Sequence, residues 1–441
     1  MLKNVKTDKA LDLVGTCLSA IASPEPGPID ERMRMWSRQG TFVSILEPGA
    51  GAFGELVRLI ETKGRIDDKR EAKDVLSRKY IEVKVEELIG ELVARAAEGG
   101  QQPAELTEKQ IRPVWSEWVE GFEIPSDVTT HYTFVSQLLL DGPIQIGTVT
   151  LRPLDDATRN ALFSECGLRG GASSDRESWE RKAKQLIDEG FLLKPGEHVL
   201  AHATVVGAEP VRARELFKER VREVLHVVSF FRYFVSPVGD RVVIALSGDD
   251  VPSGSNVFLS VTPDGRISVG GERAALPFRL TSDGWQHARI MGLSFVSDVL
   301  SKPEDERTDL EASCINAITW ISRGLQDDVA DSRFLKLCIG MESLLLRKAD
   351  YPYGSTMADR VAFLLGKTGD AREKVFAQLK RIYAVRSDIA HEGRSATLQQ
   401  QLGPAQFFAT QAVRVFLQRM SEGKWQSLDE FIKWCDHLKW A

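Results

Sequence analysis

The sequence is poor in the residues that build disulfide or metal frameworks. Five cysteines, Cys17, Cys166, Cys314, Cys338 and Cys435, are scattered over 441 residues, with no Cys-x-x-Cys pair among them. An odd, dispersed set reads as reduced thiols, not as a disulfide network or a zinc site. The seven histidines are dispersed as well, and neither a transition-metal site nor a cofactor is expected. No apolar run reaches the roughly 18 residues that a membrane-spanning helix needs. Basic residues are not in excess: 57 Lys and Arg face 63 Asp and Glu, for a net charge of −6. A surface that binds nucleic acid all over is thereby excluded, and any RNA site must be a local basic patch. Low-complexity tracts and strong internal repeats are also missing.

What is present fits a globular protein of two or three domains, with 43% hydrophobic and 27% charged residues. Lys3, Lys6 and Lys9 ahead of Ala10 to Ala22 loosely resemble a secretion signal. Asp12 interrupts the apolar part, so an amphipathic first helix and a cytoplasmic location are expected.

Residues 1–120 read as mainly helical. Ile81 to Ala97 carries apolar positions at helical spacing, Glu98 to Pro103 reads as a linker, and the charged stretch Asp67 to Lys79 reads as a solvated helix face. From 121 to 300 the texture is mixed α/β, as in an accessory or sensing domain. Tyr132 to Leu140 and Ile144 to Leu151 are strand-like and are joined around Asp141-Gly-Pro143. Arg241 to Leu246, Asn256 to Val261 and Arg266 to Val269 are further short strands, with helices at Glu177 to Glu189 and Val211 to Tyr233. From 301 to 441 nearly everything reads as helix: Asp309 to Gln326, Ser332 to Leu346, Thr356 to Gly366, Ala371 to Ile389, Leu398 to Met420 and Ser427 to Leu438. Short connections between them imply a bundle. The expected fold class is α+β and multidomain, with an all-α C-terminal bundle.

Gly49-Ala-Gly51-Ala-Phe-Gly54 fits G-x-G-x-x-G after a strand-like Thr41 to Leu46. Ile45 to Gly51 looks like the first motif of S-adenosylmethionine-dependent methyltransferases, in which glycines let the backbone approach the ligand. Such a fold needs a second apolar strand about 20 residues on, and Lys63 to Arg78 is strongly charged. A Pro-Gly loop between two helices is the expected structure.

The chemistry concentrates in Ala371 to Gly393. Val375, Leu379, Ile382, Arg386 and Ile389 recur at steps of 4, 3, 4 and 3, a seam on one helix that Phe376, Tyr383 and Ala390 widen. One member of the seam is an arginine, and an unpaired buried charge is costly, so Arg386 needs a partner or a ligand. His391 follows five residues later, rotated by roughly 140° on an ideal helix. Arginine is long and the terminal turn can relax, so both groups can reach one phosphate. Upstream, Leu335, Cys338, Glu342 and Leu345 form another stripe with one carboxylate in it, placed to pair with Arg386 or to orient His391.

The chain from Leu310 onward resembles the Apea-like HEPN family. The matching residues are Gly340-Met-Glu-Ser-Leu-Leu-Leu346, Arg360-Val-Ala-Phe-Leu-Leu365 and Ile382-Tyr-Ala-Val-Arg-Ser-Asp-Ile-Ala-His-Glu-Gly393. Ile146 to Phe163 and Leu276 to Leu300 resemble the region that precedes this domain. HEPN nucleases carry Arg, four to six residues, then His, as Arg386 and His391 do. Ser387 departs from the Asn, Asp or His often found after the arginine. The resemblance implies RNA cleavage without a metal, in prokaryotic anti-phage defence or an RNA-targeting stress response. It assigns His391 as general acid or base, Arg386 as the stabiliser of phosphorane charge, and Ser387 or Asp388 as orienting groups, with Tyr383 and Glu342 in support. It also implies a homodimer through facing motif helices. Local charge permits an RNA partner: between Arg347 and Arg394 ten Lys or Arg stand against six Asp or Glu, a net of +4. The alternatives are a non-catalytic HEPN module for RNA binding or assembly, with Arg386 in a salt bridge and His391 a helix-terminal residue, and a methyltransferase using Gly49 to Gly54.

Overall fold

The computed structural model describes residues 5–22, 34–38, 41–45, 49–64, 72–122, 128–158, 198–235, 242–246, 257–261, 267–271, 277–347 and 349–440. The chain is mostly helical, with small and predominantly antiparallel sheets, an α+β protein. It divides into two units: 1–131 with 204–218, and 132–203 with 219–441. Among the described residues no helix is long and apolar enough to cross a membrane.

The first unit is built on α1 (Thr7–Ser19), α2 (Gly49–Lys63), α3 (Ala72–Val75), α4 (Arg78–Glu98) and α5 (Glu108–Glu120). The amphipathic first helix is there, with Ala10, Leu11, Val14, Cys17 and Leu18 buried and Asp12 facing solvent. Ser77 caps α4 by accepting a hydrogen bond from the Tyr80 N–H. The glycine motif forms neither a phosphate loop nor a Pro-Gly loop between helices. It follows a strand and lies inside the first turns of α2. That strand, β3 (Thr41–Ile45), is flanked antiparallel by β1 (Ile21–Ala22) and β2 (Arg34–Arg38). An antiparallel three-stranded sheet is not the parallel βαβ frame that a dinucleotide or methyl donor needs. Gly49, Ala52 and Phe53 are buried instead, packing α2 on α1.

The second unit holds a five-stranded sheet in the order β6-β7-β8-β4-β9: β6 (Ile144–Ile146), β7 (Val149–Pro153), β8 (Val199–Val206), β4 (Val128–Ser136) and β9 (Ala245–Leu246). β4, β8 and the long α6 (Pro210–Val235) contribute residues to both units. Expected strands are cut more finely here. Tyr132 to Leu140 splits at Gln137, whose φ of 62° breaks the extended run. The piece beyond it, β5 (Leu138–Leu140), pairs in parallel with β12 (Phe278–Leu280). Ile144 to Leu151 is a hairpin, not one strand: it turns at Gly147 (φ 58°) and pairs Ile144 with Leu151. β8 has no counterpart among the expected strands, and of the strand expected at Arg241 to Leu246 the described residues 242–246 hold only Ala245 and Leu246 in a strand. β10 (Val257–Val261) and β11 (Ile267–Gly271) pair antiparallel. The helix expected at Glu177 to Glu189 lies outside the described residues.

The helices α7 (Ser282–Ala288) and α8 (Ser294–Ser301), joined through a short π-helical segment, lead into the bundle. The bundle consists of α9 (Asp309–Gln326), α10 (Ala330–Leu345), α11 (Tyr353–Leu365), α12 (Gly369–Glu392), α13 (Leu398–Ser421) and α14 (Leu428–Trp440). α9 starts with a reciprocal cap: the Thr308 hydroxyl accepts from the Glu311 N–H at 3.2 Å and the Glu311 carboxylate accepts from the Thr308 N–H at 2.9 Å. α13 packs against α9, α10, α11 and α12. Its buried Ala405, Ala409, Ala412, Val413, Phe416 and Leu417 make it the core of the bundle.

Candidate functional site

α10 and α12 carry the charged pair at the centre of the site. The Arg386 guanidinium donates from Nε to Glu342 Oε1 at 3.0 Å and from Nη2 to Glu342 Oε2 at 3.4 Å. This side-on fork is the strong form of a charge-assisted contact. Both side chains are half-buried, at 28% and 21% exposure. Burial opposes the Arg386 cation, but Glu342 outweighs it and the net effect raises its pKa. The fork occupies one edge of the guanidinium. Nη1 makes no hydrogen bond among the described residues.

The periodicity expected on α12 is real, with its phase shifted. Leu379, Ile382, Val385 and Ile389 are the buried positions. Val385 holds the place given to Arg386, which sits on the rim of that stripe, and Ala390 is exposed. An arginine on the rim can bury its methylenes and send its charge to a partner.

Tyr383, one turn before Arg386, lies under the guanidinium, with its ring centroid 5.8 Å from Cζ. Burial, then the Glu342 charge, push its phenol upward in pKa. Its ring is held from the other side by Gly354 at the start of α11, where a Cβ would come within 2.4 Å of Tyr383 Cδ1. Only a residue without a side chain permits this approach. Cys338 is buried beside the pair, and burial, then Glu342, drive its thiol far up. Cys17, Cys314 and Cys435, also buried, are each pushed up to about 12. Such thiols are inert.

The other expected residues are not drawn into this cluster. His391 is exposed at the end of α12 and makes no side-chain hydrogen bond among the described residues. Glu342 therefore pairs with Arg386 and does not orient His391. Gly393 ends the helix in the left-handed conformation, φ 74°. Asp388 accepts a hydrogen bond from the Ser395 hydroxyl at 3.2 Å, and Ser387 is half-buried. Asp388, Glu392, Arg394, Ser395 and Ala396 line a 480 Å³ cleft at this helix end. In the first unit Glu87, Glu91 and Glu117 line a 340 Å³ groove, but they are spent on Lys84 and Arg95.

Arg360 carries no charge-pairing signal in the sequence, and reading the histidines as dispersed misses the spacing of His198 and His202. Arg360, buried on α11, donates to the Leu345 carbonyl at the end of α10 and to Asp350 Oδ2. Burial would raise the Asp350 carboxyl, but Arg360 and the Arg347 N–H hold it below its ordinary value. This ties Asp350 to the end of α10, and Tyr351, next in the chain, projects with 85% exposure. His198 and His202 stand four apart, a spacing that on a helix would place two ligands on one face. His202 is in β8 and His198 just precedes it, and among the described residues no group of three or more possible metal ligands forms.

Comparisons with protein-family models, with curated proteins and with solved structures return no match.

Proposed function

We propose that the chain is an endoribonuclease of the HEPN type, acting without a metal ion through Arg386 and His391. The observation that carries this reading is the state of Arg386. It is charged, fixed by Glu342 and Tyr383, and still has one guanidinium edge uncommitted. A preorganised, half-desolvated cation of this kind suits a phosphate whose charge grows in the transition state. In the proposed reaction a ribose 2′-hydroxyl attacks the adjacent phosphorus and the 5′-oxygen leaves. The products are a 2′,3′-cyclic phosphate and a 5′-hydroxyl end. An imidazole gives and takes protons near neutral pH, so exposed His391 takes the 2′-hydroxyl proton or protonates the leaving oxygen. Pairing of two chains through α12 would supply two histidines, one for each role, as symmetric dimers do. A place in prokaryotic anti-phage defence or in an RNA-targeting stress response follows from the resemblance on residues 310–393.

The test is RNA cleavage by the purified chain. Cleavage that persists in EDTA, leaves a cyclic phosphate and is lost in both Arg386→Ala and His391→Ala is the expected result. One observation favours a second reading: the fork with Glu342 is by itself a sufficient reason for an arginine at this position. In that case the bundle is a non-catalytic RNA-binding or assembly module, and RNA remains intact in the parent and both variants.

A further inference from the structure

Just before α11 the structure displays an aromatic side chain that is largely open to water. Tyr351 is 85% exposed and Tyr353, in contact with it, 38%, so the two rings form a small aromatic patch open to water. The loop is well held: Asp350, the preceding residue, is clamped by buried Arg360 and accepts the Arg347 N–H at 2.7 Å. The Tyr351 N–H donates to the Ala349 carbonyl at 2.9 Å. Tyr353 meets Tyr351 edge to face, with centroids 6.2 Å apart.

The surroundings specify the ligand. Gly354, next in the chain, packs on the Tyr383 ring, and Tyr383 lies under Arg386. Lys380 neighbours Tyr383 and Tyr383 neighbours Arg386 at i,i+3 spacing on α12, over about 9 Å of helix axis. Lys380 is tied to this corner by donating to the Ser355 hydroxyl at 3.0 Å. An open aromatic ring on the segment whose Gly354 packs on Tyr383 and whose Ser355 accepts from Lys380, within a stretch of net charge +4, suits an unpaired base with a phosphate nearby. A duplex would hide its base faces from such a ring.

We infer that Tyr351, braced by Tyr353, stacks an unpaired nucleobase of single-stranded RNA, and that Lys380 and the open edge of Arg386 take the neighbouring phosphates. The platform would hold the strand so that the adjoining linkage lies at Arg386, and it takes its ligand class from the ribonuclease reading.

The test is direct binding, with the full-length His391→Ala chain as parent so that cleavage does not interfere. Fluorescence anisotropy follows a short labelled single-stranded RNA of mixed sequence and the same strand annealed to its complement. Tyr351→Ala should weaken single-strand binding roughly 5- to 100-fold, the range for one stacked base. Tyr351→Phe should stay within roughly twofold of the parent, and duplex binding should not respond to either change. Unchanged affinity in Tyr351→Ala, equal losses in the Phe and Ala variants, or no RNA binding by the parent would each overturn the platform. So would a loss of self-association in place of RNA affinity, which would make Tyr351 a protein contact. Binding that depends on Tyr351 in a chain that never cleaves would leave the platform standing and remove the nuclease. Cleavage with an affinity indifferent to Tyr351 would do the reverse.

Discussion

Arg386 on α12 and Glu342 on α10 meet through two parallel hydrogen bonds of 3.0 and 3.4 Å, 44 residues apart in the chain. The pair fastens together two helices that both also pack on α13. It also holds the guanidinium over the Tyr383 ring.

Removing Glu342 leaves that cation half-buried and unpaired. Glu342→Ala should destabilise the chain by about 1–3 kcal/mol in urea denaturation. A double-mutant cycle with Arg386→Ala should show a coupling of about 1 kcal/mol or more. Additive single-mutant effects would mean that solvent screens the fork completely.

Arg360 should matter more for stability. Its replacement by Met keeps the volume but strands the Asp350 carboxylate and the carbonyl of Leu345, both satisfied by the same guanidinium. Breaking a buried pair from one side costs about 3–5 kcal/mol. Arg360→Met should unfold at a markedly lower denaturant midpoint, with Asp350→Asn intermediate. Near-parent stability would contradict this account of the loop.

Gly354 should not tolerate a methyl group. Gly354→Ala drives a Cβ into the Tyr383 ring and should cost about 1–3 kcal/mol by overpacking. Combined with Tyr383→Ala it should cost less than the sum of the two changes, because the obstructing ring is gone. Strict additivity would place the strain elsewhere.

His226 predicts a dependence on pH. Burial first, then the charges of Arg323 and Arg222, lower its pKa to about 4. The unfolded chain binds a proton near pH 6.5, which the folded chain refuses until about pH 4. Its contribution is therefore fully present above about pH 6.5, falls as the pH drops through this window, and amounts to about 3 kcal/mol. Replacing His226 with Leu should flatten the stability profile between pH 4 and 6.5. An unchanged slope there would assign the acid sensitivity to other groups.

How far the sequence could be read depends on how local the deciding force is. The helix expected from Asp309 to Gln326 is α9 with the same bounds, because helical periodicity is settled within a few turns. On α12 the 3.6-residue period is plain, yet the buried row runs through Val385 and leaves Arg386 on the rim. A helix face is about 100° wide, so periodicity finds the face and not its edge. The break at Gln137 was hidden because a non-glycine residue there adopts positive φ, and Gly147 was passed over inside what read as one strand. At Gly49 to Gly54 the expected loop between helices is instead the first turns of α2, preceded by β3, a strand that exists only through antiparallel pairing with strands distant in sequence.

By itself the sequence determined the mostly helical C-terminal bundle and the amphipathic first helix. These follow from period and charge, which are properties of a few neighbouring residues. Only the tertiary structure decided that Glu342 takes Arg386 and leaves His391 in solvent, that Gly354 presses Tyr383 beneath the guanidinium, and that Arg360 and Asp350 hold Tyr351 out in water. Each depends on where helices cross, and side chains far apart in the chain meet there only because the core has packed.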